Sequence, residues 1–159
     1  MAFRILIADD SDLHLHLLSE FINKLQHIVI GKASNGFEAV ILAKKYLPDL
    51  VLLDINMPTM SGLSACQIIQ NETGIPCVLI TGDTNANIPL ITDESCPFGI
   101  VVKPINLFQL KSTIEFTLGR AKYYKDLSCY KNIIQTTPIL LALVGDDYRY
   151  KLINNYYCT

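Results

Sequence analysis

The sequence has no tryptophan and no strong excess of charge of either sign. Its 13 lysines and arginines against 15 aspartates and glutamates leave a formal net charge of −2, which gives no electrostatic basis for direct nucleic-acid binding. No apolar run approaches the roughly 20 residues of a membrane-spanning helix, and the opening stretch MAFRILIADD reaches two acids too early for a signal peptide. These absences favour a cytoplasmic protein with no membrane contact.

Closely spaced cysteine pairs are also lacking. The five cysteines are scattered, at Cys66, Cys77, Cys96, Cys129 and Cys158. Their spacing excludes the usual zinc and redox motifs, and it favours reduced thiols in a cytosol. Half of the residues are hydrophobic, however, so the chain can bury a core and is not a disordered tail.

Five short apolar runs are present instead. They are FRILIA (3–8), HIVIGKA (27–33), DLVLLD (49–54), PCVLIT (76–81) and GIVVK (99–103). Four of them are nearly continuous, which is typical of strands covered on both faces in a parallel sheet. Segments with helical spacing of apolar residues lie between the runs, and this alternation predicts an α/β fold.

Polar residues end four of these runs: Asp9 with Asp10, Asp54, Thr81 and Lys103. The carboxyl ends of parallel strands meet at one edge of the sheet, so these side chains are expected to converge there. Clustered carboxylates repel one another and invite a hard cation, for which Mg²⁺ is the best match. A carboxylate can also attack phosphorus to form an aspartyl phosphate, with a lysine and a hydroxyl binding the phosphoryl oxygens.

The stretches ILIADDS, PDLVLLDINMPTMSG, VLITG and VVKP occur in that order along the chain. Together they make residues 1 to about 121 resemble the receiver domain of two-component response regulators. The resemblance implies a flavodoxin-like, doubly wound, five-stranded parallel sheet with strand order 2-1-3-4-5. It also implies a phosphoprotein that accepts a phosphoryl group from a histidine kinase or a histidine phosphotransfer protein, and so a switch rather than a turnover enzyme.

The resemblance assigns a metal site and a phosphoacceptor. Asp54 is the implied phosphoacceptor, and Asp9 and Asp10 are the implied acidic pair. Mg²⁺ would be held by Asp9, Asp10, Asp54 and the backbone carbonyl of Asn56.

The resemblance also assigns the residues that respond to phosphorylation. Thr81 is the implied switch hydroxyl, Lys103 the implied phosphate-pairing cation, and a cis peptide is expected before Pro104. The chain departs from the family at Ile100, where an aromatic residue usually stands, so the resemblance does not extend to the usual coupling from threonine to aromatic.

Two prolines mark a second departure. Pro89 and Pro97 lie between the fourth and fifth runs, and they predict that the helix in this interval is short or displaced. That helix belongs to a face which many receivers use for output, so no partner surface is carried over.

The C-terminal part is expected to form a helical connector over 122–137 and a β-hairpin over 138–159. Phe116, Tyr123, Leu127, Tyr130 and Ile134 fall near heptad spacing, which favours pairing of an extended helix with a second copy; a helix packed on its own domain remains the alternative. Residues 138–159 place two apolar runs around Asp146 and Asp147 and resemble the start of a PAS domain, cut off by the chain end.

Two other functions stay open. The first is a pseudo-receiver that serves for dimerisation or docking without phosphotransfer, which Ile100 favours and the intact acids and lysine oppose. The second is a phosphatase with an aspartyl nucleophile, although such enzymes of the haloacid-dehalogenase type use an Asp-x-Asp pattern that is absent after the first run.

Overall fold

The computed structural model describes residues 2–82, 99–136, 142–144 and 150–153. The chain divides into two compact units, Met1–Arg120 and Ala121–Thr159. The strands are β1 Arg4–Ala8, β2 Ile28–Ala33, β3 Leu50–Asp54, β4 Cys77–Thr81, β5 Gly99–Val102, β6 Ala142–Val144 and β7 Tyr150–Ile153. The helices are α1 Asp12–Lys24, α2 Gly36–Tyr46, α3 Gly62–Thr73 and α4 Leu107–Thr136.

The first five strands form one all-parallel sheet in the order β2-β1-β3-β4-β5. This confirms the predicted α/β fold and its flavodoxin-like strand order. Each of the five apolar runs became one strand. β3 and β4 are buried throughout, whereas the edge strands β2 and β5 keep Ile28 and Ile100 exposed.

Alternate residues of each strand feed two separate apolar layers. In β3, Val51 and Leu53 pack in a layer that contains residues of α2 and α3. Leu50 and Leu52 pack in the opposite layer, with residues of α1 and α4. The central strand is therefore buried on both faces, as its continuous apolar sequence predicts.

Three helices begin at the edge of the sheet where the strands end. The Ser11 Oγ, the Asn35 Oδ1 and the Ser61 Oγ accept hydrogen bonds from backbone N–H groups in the first turns of α1, α2 and α3. Such caps satisfy amides that have no partner within the helix. They fix the start of each helix beside the polar strand ends that the sequence predicts to converge.

The C-terminal strands β6 and β7 pair antiparallel, as a hairpin requires. The predicted turn residues Asp146 and Asp147 lie outside the described residues, and so do Pro89, Pro97 and the helix expected between β4 and β5. In the described ranges, none of the helices combines the length and the apolar character needed to cross a membrane.

Candidate functional site

Three carboxylates meet at the carboxyl edge of the sheet. Asp9 follows β1 and Asp54 ends the neighbouring strand β3, and both are buried, whereas Asp10 is exposed. One ligand atom from each of the three lies within 4.8 Å of the others. The Ser11 N–H donates to Asp9 Oδ1 over 2.9 Å, which orients that carboxylate toward the cluster.

A close backbone approach holds Asp54 at its position. A Cβ built on Gly62 would lie 2.0 Å from the backbone oxygen of Asp54, so the first residue of α3 has to be glycine for this packing. The Ile55 N–H donates to the Ile80 carbonyl over 2.9 Å, and the Gly62 N–H donates to the Ile55 carbonyl over 3.0 Å. The phosphoacceptor candidate is thereby fixed from both the strand and the helix side.

The ammonium of Lys103 lies between two of the acids. Its Nζ is 2.9 Å from Asp54 Oδ1 and 3.0 Å from Asp9 Oδ2. The Lys103 N–H donates to the Thr81 carbonyl over 2.7 Å, and the Lys103–Pro104 peptide is cis, as predicted. Lys103 therefore reaches the acidic cluster from the strand end next to Thr81.

Burial and charge shift two pKa values in this pocket. Burial raises the pKa of Asp54 above its ordinary 3.8; Lys103 opposes this shift through a hydrogen bond and its charge, while the charges of Asp9 and Asp10 add to it. Burial alone would lower the pKa of Lys103, but hydrogen bonds and charge from Asp54 and Asp9 outweigh it and raise this pKa above 10.5. The pocket is thus short of positive charge even with the lysine in place.

Three further residues that the sequence singled out differ in position and exposure. Thr81 is buried at the end of β4, opposite Val102. Asn56 is exposed, two residues beyond Asp54. Ile100, at the position where the resemblance implies an aromatic residue, is 41% exposed on β5.

His14 is a pocket residue that the sequence did not reveal. Its Nδ1 lies 3.1 Å and 3.2 Å from the two oxygens of Asp9, and 3.1 Å from Lys103 Nζ. The available signal was positional: His14 follows the helix cap Ser11 by three residues, so it lies in the first turn of α1 at the edge of the sheet.

The donor set suits a hard divalent cation. Three carboxylates and one ammonium leave about two unbalanced negative charges, since the ammonium neutralises only one acid. Oxygen ligands supplemented by water are what Mg²⁺ prefers, and the exposed Asp10 leaves one side open to solvent and to a phosphoryl group. The residues present therefore fit the metal that the resemblance implies.

Comparison with known protein families supports the resemblance to receiver domains. The family described as "Response regulator receiver domain" matches residues 5–115. A signal receiver domain of a modulated diguanylate cyclase from Desulfovibrio desulfuricans G20 superposes with a TM-score of 0.71 at 26% identity, covering 78% of this chain and 99% of that one.

Curated relatives also match at the sequence level, among them the following two. The transcriptional regulatory protein PdtaR of Mycobacterium tuberculosis is 31% identical over 117 residues, which is 74% of this chain and 57% of the relative. A protein-glutamate methylesterase/protein-glutamine glutaminase of Methanospirillum hungatei is 40% identical over 83 residues, 52% of this chain and 24% of the relative. The chain thus spans only part of the length of the relatives it matches.

Proposed function

The chain belongs to the response regulator receiver domain family, and from that premise we propose that it is a phosphoaccepting switch with Asp54 as the acceptor. The observation that carries the proposal is the buried Asp54 carboxylate, which lies 2.9 Å from the Lys103 ammonium and within a cluster of three acids. A lone solvated strand end would have neither the cation nor the neighbouring carboxylates.

The proposed reaction transfers a phosphoryl group from a phosphohistidine of a kinase or a phosphotransfer protein. A carboxylate oxygen of Asp54 forms the new O–P bond while the P–N bond breaks, and the electron pair stays on the departing histidine nitrogen, which takes up a proton. Asp9, Asp10, Asp54 and the Asn56 carbonyl would hold Mg²⁺. When bound, the ion supplies neutralisation of the charge that builds on the phosphoryl oxygens.

Lys103 and Thr81 would then serve the transferred group. The Lys103 ammonium already touches Asp54, so a short shift brings it to a phosphoryl oxygen on that side chain. Thr81 ends the neighbouring strand, from which its hydroxyl can reach another oxygen. The new charge would shift the surrounding loops toward an active population.

The remaining expectations belong to the same proposal. Domain limits at 121 and 137, a cytoplasmic location, a helical connector that pairs two copies and a PAS-like segment over 138–159 stay predictions. The extended helix α4 and the antiparallel β6–β7 pair are the secondary structure that the connector and the hairpin require. The chain itself would be a switch that undergoes only self-catalysed phosphorylation and dephosphorylation. Any enzymatic or regulatory output suggested by the names of its relatives would lie in a further domain.

One observation favours a second candidate, a docking module without phosphotransfer. Ile100 replaces the usual aromatic residue and is 41% exposed, so this chain lacks one part of the usual switch. The acids and the lysine are nevertheless placed for chemistry, which is why phosphotransfer is the preferred function.

The deciding experiment is incubation with acetyl phosphate, with and without Mg²⁺, followed by intact-mass measurement. We expect a labile adduct of one phosphoryl group that requires Mg²⁺ and is lost in Asp54→Asn. Asp49→Asn is the matched control, because Asp49 directly precedes β3 at its opposite end, where its carboxylate accepts a hydrogen bond from the Arg4 N–H. No adduct on the unmodified chain would favour the docking module, and steady release of phosphate from a free ester would favour a phosphatase.

A further inference from the structure

His14 contacts both charged partners of the acidic pocket through a single ring nitrogen. Its Nδ1 is 3.1 Å from Lys103 Nζ and within 3.2 Å of both oxygens of Asp9. A carboxylate can only accept a hydrogen bond and an ammonium can only donate one. One nitrogen therefore cannot form a favourable hydrogen bond with both, and the position of the ring proton decides which contact stabilises the pocket.

The hydrogen-bonding needs of the lysine select between the two arrangements. An ammonium has three N–H donors, and three acceptor atoms surround Lys103 Nζ: Asp54 Oδ1 at 2.9 Å, Asp9 Oδ2 at 3.0 Å and His14 Nδ1 at 3.1 Å. A proton on Nδ1 would point an N–H group at the ammonium and remove the third acceptor. A lone pair on Nδ1, with the proton on Nε2, gives every ammonium hydrogen a partner. The repulsion between this lone pair and the Asp9 oxygens is offset by the ammonium, which contacts both Asp9 and His14.

We propose that His14 is a positioning residue whose Nδ1 lone pair completes the hydrogen bonding of Lys103 in the metal-free pocket and so weakens the binding of Mg²⁺ there. The ammonium lies against two of the three carboxylates that would hold the metal. Because two cations on the same carboxylate oxygens repel each other, metal entry requires the ammonium to move away from Asp9. His14 stabilises the arrangement that has to be left, and therefore opposes metal entry.

The functional role of this weaker Mg²⁺ binding rests on the proposed function, since a receiver needs Mg²⁺ for phosphotransfer. Holding the lysine between Asp9 and Asp54 would keep the pocket closed at low metal concentration. Loss of the third acceptor would leave one ammonium hydrogen to solvent, which reaches this partly exposed side chain. Lys103 would then leave Asp9 at a lower cost in free energy.

The first test is Mg²⁺ titration of the unphosphorylated full chain by calorimetry. His14→Leu keeps a side chain of similar size without an acceptor, and we expect its Kd for Mg²⁺ to fall about fivefold, the factor expected for one net hydrogen bond. His14→Asn returns an amide oxygen near the Nδ1 position and should restore most of the original Kd. An unchanged or higher Kd in His14→Leu would overturn the proposal, and so would a lack of Mg²⁺ binding in both proteins.

His16→Leu is the matched control. It is the same substitution two residues along α1, on a side chain that is 72% exposed and contacts Glu20. Its Kd for Mg²⁺ should equal that of the unmodified chain. A drop as large as that of His14→Leu would assign the effect to the helix or to general charge, and the proposal would fail.

A second test needs neither metal nor phosphorylation. In ¹⁵N spectra of the ring in the metal-free chain, we expect a proton on Nε2 of His14 and none on Nδ1. A proton on Nδ1 would overturn the assignment. This readout separates the two proposals, because a chain that fails to label with acetyl phosphate can still show this tautomer.

Discussion

Strands β3 and β5 flank β4 and deliver opposite charges to the same pocket, but they are built differently. β3 pairs with both β1 and β4, and all five of its residues are buried. Within the described part of the chain β5 pairs with β4 alone, and Ile100 in it is 41% exposed. The acid that is proposed to accept the phosphoryl group is thus on a buried strand that is paired on both sides, and the cation follows an edge strand.

This difference suits the proposed chemistry. In-line attack requires the acceptor carboxylate to stay in a fixed place, whereas the lysine has to move from Asp9 toward the phosphoryl group. An edge strand with fewer packed neighbours opens at a lower free energy than a central one. The comparison therefore assigns rigidity to Asp54 and movement to Lys103, and the following variants test that division.

The largest effect on stability is expected from shortening a buried side chain in β3, and it is compared with the same kind of change in β5. Leu52→Ala removes a fully buried side chain from β3 and should lower the free energy of unfolding by about 3 kcal/mol. Ile100→Ala on β5 should cost below about 1 kcal/mol, because much of that side chain is already in water. Urea unfolding followed by circular dichroism measures both, and equal losses would remove the distinction between the strands.

The next effect concerns the backbone that fixes Asp54. Gly62→Ala would drive a Cβ into the Asp54 carbonyl, and we expect a loss of about 1–3 kcal/mol together with slower labelling by acetyl phosphate. Gly119→Ala is the matched control, since alanine favours a helix interior and, among the described residues, no atom beyond its chain neighbours and its own helix backbone lies within 4 Å of the Cβ position. That variant should gain up to about 1 kcal/mol. Normal labelling of Gly62→Ala would show that this contact does not position the acceptor.

The sequence predicted the framework of the site because its signals are local and strong. The apolar run that ends in Asp54 became β3, and the polar ends of its neighbours converged as parallel pairing requires. The strand order, the cis peptide at Pro104 and the roles of the site residues depended on the family resemblance. The order and the cis peptide are confirmed.

The sequence pattern did not predict which face of α1 is buried. The buried residues of α1 are Leu15, Leu18 and Ile22, whereas Leu13 is 75% exposed. Leucines occur on both faces of this helix, so the pattern alone does not give its rotation. The same rotation places His14 against Asp9, and for this reason the histidine was missed.

A smaller effect on stability is expected from Thr117, a residue of α4 that lies next to Gly99 of β5. The Thr117 side chain is fully buried in α4, and its Oγ1 has no hydrogen-bond partner among the described residues. Thr117→Val keeps the shape and removes the unsatisfied hydroxyl, so stability should rise by about 1 kcal/mol. Thr113→Val is the control, because Thr113 is only half-buried and water can satisfy its hydroxyl. A loss of stability in Thr117→Val would mean that the hydroxyl has a partner and that the packing under β5 is tighter than inferred.

The smallest effect is expected from the acceptor itself, because burial and Lys103 act on it in opposite directions. Burial prevails and raises the pKa of Asp54 above 3.8, so the folded chain binds this proton more tightly than the unfolded chain does. Stability contributed by this group therefore falls as pH rises from 3.8 through the raised pKa. Asp54→Asn should melt higher than the unmodified chain at neutral pH, and the difference should vanish below about pH 3.8.

Thermal melting from acid to neutral pH measures this difference, with Asp126→Asn, an exposed site on α4, as the control that should show none. A lower melting temperature of Asp54→Asn at neutral pH would mean that the attraction of Lys103 exceeds the cost of burial. The lysine would then be bound too firmly to leave Asp9 and Asp54 readily. That result would contradict the division between a fixed acceptor and a movable cation more directly than any change in the strands.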